Sequence, residues 1–143
     1  MKSDSSNTVR VAVITGGAMG IGGAAAQHLA ASGHRVIIAD RDRQAADLTV
    51  AALVALGHQA DAVTMDVSEP ASIASGFAHI EQLTGRCDIL VNSAGVATVA
   101  AFLDFKLEEF QRTMNINVTG TLLCSQHAAR LMGPQGSGAI VNI

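Results

Sequence analysis

The 143-residue chain has no Tyr and no Trp, only four Phe, two Lys, two Pro and two Cys. Without Tyr, chemistry that needs a phenolic proton donor cannot run on these residues alone. Aromatics make up 3% of a chain that is 49% hydrophobic, so the core must be Ala, Val, Ile and Leu packed around 14 Gly. That is the texture of a buried parallel sheet covered by helices on both faces. Cys87 and Cys124 stand apart with no CxxC spacing, and read as two buried thiols in a reducing cytoplasm. Nine scattered basic residues and a net charge of −3 argue against a nucleic-acid surface. The opening MKSDSSNTVR carries no apolar secretion-signal core, and no uninterrupted apolar run reaches the roughly 18 residues of a membrane span. The His residues at 28, 34, 58, 79 and 127 lack ligand spacing, so no metal site is expected. Ser125 has no GxSxG frame, so hydrolase chemistry is not expected either.

What is present is an alternation of short apolar runs with longer helical patterns, on a length that suits one domain. Val9 to Thr15 reads as a first strand that ends in Gly16-Gly17. A helix follows from Gly20 to Ser32, with Ile21, Ala24, Ala25, His28 and Leu29 on one face and Gly33 as its stop. Arg35 to Ala39 is a second strand ended by Asp40, and Arg43 to Leu56 a second helix closed by Gly57. Gln59 to Met65 is a third strand ended by Asp66. A third helix is expected to start at Ser68 as cap, with Pro70 in its first turn, and to run to Leu83. Cys87 to Val91 is a fourth strand, followed by Asn92-Ser93-Ala94-Gly95. A long helical stretch from Leu107 to Met132 is expected to break at Gly133-Pro134, before a fifth strand from Ala139 to Ile143. The order β-α-β-α-β-α-β-α-β implies a doubly wound α/β fold, a parallel sheet with right-handed crossovers. Ligands of such sheets sit beyond the carboxyl ends of the strands, where the strand order reverses.

The informative residues fall in the loops at that edge. Thr15 to Gly22 joins a strand to a helix through Gly16, Gly17, Gly20 and Gly22, a turn through which a pyrophosphate can approach helix N-terminal amides. No Gly-Lys-Ser/Thr is present, which argues against triphosphate hydrolysis. Asp40, 18 positions beyond Gly22, can accept hydrogen bonds from the ribose hydroxyls of an adenine dinucleotide and repel a 2′-phosphate. NAD is therefore expected over NADP, although Arg41 offers a guanidinium that a phosphate would favour. Taken alone, Asp40 also reads as a helix cap. Asp66 can accept an adenine amino group under cover of Val67, or merely form a turn. Asn92 can tie neighbouring loops through its four hydrogen-bonding sites. Asn115 and Asn117 are poor helix formers inside a helical stretch, so they mark a local break or cap a new helix near Thr119.

Taken in order, TGGAMGIG at 15–22, Asp40, Asp66-Val67, NSAG at 92–95, NINVTG at 115–120 and AIVNI at 139–143 resemble the short-chain dehydrogenase/reductase family, from Arg10 to Ile143. NSAG departs from the more usual NNAG. The resemblance implies an oxidoreductase that transfers hydride between NAD and a secondary alcohol or ketone of the sugar or polyol, steroid or 3-oxoacyl type. It implies that Gly16, Ala18, Met19, Gly20, Ile21 and Gly22 bind the pyrophosphate and its ribose, that Asp40 and Arg41 face the adenosine ribose, and that Asp66 and Val67 hold adenine. It places Asn92, Ala94, Gly95 and Asn115 around the cofactor and makes Asn117 the catalytic Asn, which holds a water in a proton relay to a Lys. In this family the catalytic Ser follows AIVNI and a Tyr-x-x-x-Lys pair comes later, and neither is here. The expectation is an N-terminal cofactor-binding part of a longer enzyme, inactive alone, whose strand five is a bare apolar edge. A homo-oligomer, tetramer or dimer, is expected, with Thr121, Cys124, Ala128 and Met132 as one candidate face, though that spacing equally suits packing on the sheet. The rival readings are a non-catalytic dinucleotide-binding module and a methyltransferase. Ile14-Thr15 ahead of Gly16 speaks against the latter, because an acidic residue is usual there.

Overall fold

A computed structural model describes residues 8–143. Five parallel strands run β1 Val11–Thr15, β2 Arg35–Asp40, β3 Ala60–Thr64, β4 Ile89–Asn92 and β5 Ala139–Asn142. The helices between them are α1 Gly20–Ala31, α2 Arg43–Ala55, α3 Pro70–Thr84, α4 Leu107–Met114 and α5 Thr121–Gln135. The strand order is β3-β2-β1-β4-β5. The chain winds outward from β1 through β2 to β3, then returns to β4 on the other side of β1. The switch point therefore lies between β1 and β4, paired from Ala12↔Ile89 to Thr15↔Asn92. This is the doubly wound α/β sheet expected from the alternation.

Strand alternation divides the core into two layers. Val13, Ile37, Val63 and Leu90 face α3 and α5 and pack with Ile73, Phe77, Cys124 and Ala128. Ala12, Ile14, Val36, Ile38 and Val91 face α1 and α2 and pack with Ala26, Ala30, Ala46 and Leu53. Phe77 alone brings an aromatic ring into the buried interior, and His127 of α5 stacks on it at 5.4 Å between centroids. Burial, then Arg130, lowers the His127 pKa.

Several local expectations need correction. The buried face of α1 is Gly22, Gly23, Ala26 and Ala30, whereas Ile21, Ala24 and His28 are exposed. Close approach of the helix to the sheet selects small residues there, so the more hydrophobic side chains lie outward. The cap position of α3 is Glu69, not Ser68, with Pro70 in the first turn. Gly133-Pro134 does not break α5, which ends at Gly136 in the left-handed region (φ 69°). Pro134 sits in the last turn, where its missing N–H removes one hydrogen bond without interrupting a longer ladder. Cys124, Ala128 and Met132 pack against the sheet, so they are not an outer face. Strand β5 is an exposed edge, with Ile140 40% and Val141 49% accessible.

Candidate functional site

The loops that leave β1, β2, β3 and β4 enclose a cleft of about 630 Å³ at the switch point. It is built from the first loop upward. Gly16 has φ +63°, and a Cβ there would lie 2.8 Å from Ala94 Cα. The turns after β1 and β4 are thus in backbone contact. Thr15, buried at the end of β1, fixes that contact, because its Oγ1 accepts from the N–H groups of Ser93 and Ala94, each at 3.2 Å. A side chain at Gly22 would run into the Gly16 carbonyl oxygen, so α1 also starts flush against the turn. No side chain caps α1 at its Met19 end, and no acidic residue occupies its first turn. The first-turn amides there are suited to an anionic ligand.

Asp40 joins the second loop to the first. Its Oδ2 accepts from Ala18 N–H at 3.2 Å and its Oδ1 from Asp42 N–H at 3.0 Å. The cap of α2 is Asp42, which accepts from Ala45 N–H at 3.0 Å, so Asp40 is not the helix cap. From α2, Thr49 donates to the Ala18 carbonyl at 2.8 Å, so Ala18 is held on both sides. In the third loop Asp66 Oδ1 accepts from Ser68 N–H at 2.9 Å and from its hydroxyl at 2.7 Å. These bonds, with Arg41 adding a weaker attraction, hold the Asp66 carboxyl below the usual range.

Between α4 and α5 the long helix does not stop. Asn115–Gly120 forms a widened π-helical turn. Such turns recur at functional sites. Asn117 uses its side-chain amide as a two-point clamp on Val96, with Oδ1 accepting from Val96 N–H and Nδ2 donating to its carbonyl, each at 2.9 Å. The Asn117 carbonyl accepts from Thr121 Oγ1 at 2.8 Å.

Of the residues singled out in the sequence, Gly16, Met19, Gly20, Ile21, Asp40 and Arg41 line the cleft on the first two loops. Asp66, Val67, Ala94, Gly95 and Asn117 line it on the others. Ala18, Gly22, Asn92 and Asn115 do not, and act on its walls instead. Asn92 Nδ2 donates to Asn142 Oδ1 at 2.9 Å and to Ser125 Oγ at 3.1 Å, which ties β4 to β5 and α5. Thr15, Thr49 and Ser72 escape the sequence reading as site residues, and Ser68 enters it only as a helix cap. Thr15 alone had a signal, a polar residue closing an apolar strand before Gly. Among the described residues no group of three His, Cys, Asp or Glu is placed to hold a metal ion. Nor is any described helix long and apolar enough to cross a membrane.

The fold defines a doubly wound α/β protein with a cleft at its switch point. More narrowly, residues 10–143 match the short chain dehydrogenase family, and the chain belongs to it. It is 42% identical over 135 residues to cis-4-hydroxycyclohexanecarboxylate dehydrogenase of Sinomonas cyclohexanicum, covering 94% of this chain and 54% of that protein. It is 37% identical over 137 residues to 3-oxoacyl-[acyl-carrier-protein] reductase of Synechocystis, covering 95% and 56%. The crystal structure of gox2181 superposes with a TM-score of 0.92 at 37% identity, covering 94% of this chain and 53% of that one. The chain spans about half the length of the curated relatives it matches.

Proposed function

We propose that this chain is the cofactor-binding part of an NAD-linked oxidoreductase that interconverts a secondary alcohol and a ketone. One observation carries the reading: an uncapped helix N-terminus behind a glycine turn shares a cleft with Asp40, whose carboxylate is already anchored to that turn. The residues present fit a dinucleotide. A Gly-lined cradle with unshielded amides suits a pyrophosphate, and the Asp40 carboxylate suits two ribose hydroxyls. The nicotinamide ring, when bound, supplies or takes up the hydride. The amides at the start of α1 bind the phosphates, Asp40 takes the ribose, and Asp66 with Val67 takes the adenine. Ala94 and Gly95 leave the way open beside β4, and Asn117 holds Val96 at the reacting end as part of a proton route.

A related protein named as a D-threitol dehydrogenase of Mycolicibacterium smegmatis supports the class of small alcohol or ketone substrate. The same reading takes the protein to be a cytoplasmic homo-oligomer, dimer or tetramer, with no nucleic-acid partner. Residues 1–143 alone are inactive in it, because no Tyr is present to serve as proton donor. The test is titration calorimetry of the full-length protein with NAD, NADP and S-adenosylmethionine. NAD is expected to bind most tightly. A clear NADP preference overturns the role of Asp40. Binding of S-adenosylmethionine in place of either dinucleotide overturns the whole reading.

A further inference from the structure

Asn115 opens the π-helical turn but does not line the cleft. Its Nδ2 donates to the Ser68 carbonyl at 3.1 Å, across 47 positions of sequence. Ser68 is also the residue that holds Asp66, and both of its bonds fall on Oδ1. Oδ2 takes neither of them, and Asp66 lies on the cleft wall. Ser72 Oγ accepts from Asp66 N–H at 2.9 Å, so the backbone on that side is fixed as well. At the other end of the π turn Gly120 packs against Val67, where a Cβ would come within 2.7 Å of the Val67 carbonyl oxygen. The two ends of one turn therefore grip Ser68 and Val67, while its middle, Asn117, grips Val96.

We infer that Asn115, acting through Ser68, is a specificity-determining positioning residue that aims the Asp66 carboxylate at the exocyclic amino group of the ligand's base. A carboxylate accepts from an amino group and is repelled by a carbonyl oxygen at the same place. The site therefore discriminates between bases, and the sharpness of that discrimination depends on how firmly Asp66 is held. Asn115 supplies the hold from a helix on which it has no direct contact with the ligand. The inference rests on the dinucleotide reading above.

The experiment measures dissociation constants of the full-length protein for NAD and for nicotinamide hypoxanthine dinucleotide, in which a carbonyl replaces the amino group. Adenosine monophosphate and nicotinamide mononucleotide serve as half-ligands. The wild type is expected to prefer NAD. In Asn115→Ala the preference falls about three- to tenfold, the worth of one neutral hydrogen bond. Affinity for adenosine monophosphate falls with it, and affinity for nicotinamide mononucleotide does not change. Asn115→Gln, which keeps a donor, recovers part of the preference, and Ser68→Ala lowers it as Asn115→Ala does. An unchanged preference in Asn115→Ala, with the wild type still preferring NAD, overturns the positioning role and leaves the dinucleotide reading standing. Equal weakening for all four ligands also overturns it, because a merely structural residue would act that way. A wild type that binds none of the four overturns the underlying reading instead.

Discussion

Gly16 and Gly20 offer a matched pair, because they share a backbone conformation and differ in their surroundings. Gly16 has φ +63° and Gly20 φ +58°, so Ala at either position carries the left-handed penalty of about 1–2 kcal/mol. Restricting the unfolded chain returns about 0.4–1 kcal/mol of that. Around Gly20 nothing lies within 4 Å of the added Cβ. Gly20→Ala should therefore cost about 1 kcal/mol. At Gly16 the Cβ would meet Ala94 Cα at 2.8 Å and Ala94 N at 2.9 Å. Both are main-chain atoms and neither can rotate away, so the turn after β4 must shift. Overpacking of that kind costs about 1–3 kcal/mol more. The shift also pulls Ser93 and Ala94 from the Thr15 hydroxyl. Gly16→Ala should cost about 2–4 kcal/mol in total. Urea unfolding of the full-length protein, followed by far-ultraviolet circular dichroism, reads both as midpoint shifts at constant slope. Equal losses for the two variants would refute the backbone contact between the turns. A loss at Gly20 as large as that expected at Gly16 would refute the open space around it.

Two further outcomes follow from the buried groups. Burial pushes the Cys87 and Cys124 thiols up to about 12, so at pH 8 both stay protonated and should resist iodoacetamide until urea is added. Mass spectrometry reads the labelling, and rapid modification of the native protein would contradict this. Burial opposes the charge on Asp88, but Arg86 at 2.6 Å and Val11 N–H at 2.7 Å outweigh it and set the carboxyl below its usual range. A carboxyl depressed on folding stabilises above the unfolded value of about 3.9, and that contribution is lost as pH falls through the lower folded value. Asp88→Asn should therefore cost about 2 kcal/mol at pH 7, with the gap to wild type closing below about pH 4. Urea midpoints at the two pH values check it, and a gap that does not depend on pH would be evidence against the charged pair.

The sequence made the strands and their loops legible for one reason. A buried parallel strand needs a short β-branched run, and its carboxyl end needs a residue that can turn or bind. Val13-Ile14-Thr15 before Gly16 and Val36-Ile37-Ile38 before Asp40 satisfy both demands locally. The membership of α1's buried face was not legible, because hydrophobicity was the wrong criterion. Gly22, Gly23 and Ala26 are inside because they bring the helix close, and Ile21 is left at the cleft. Nor could composition say whether Asn115 and Asn117 break a helix or cap one. The chain shows a local break of a mild kind: the α-helix gives way at Asn115 to a π turn, which keeps the chain helical while both amides reach other loops. Thr49 and Ser72 show the same limit. Each is an ordinary helix residue in sequence: Thr49 acquires its role only when the fold brings Ala18, 31 positions away, beside it, and Ser72 only when the start of α3 turns back on Asp66. The atoms that meet a ligand can thus be picked out by type and spacing. Many of the atoms that hold them in place, such as Thr15, Thr49 and Asn115, come from distant segments, and only the fold brings these together.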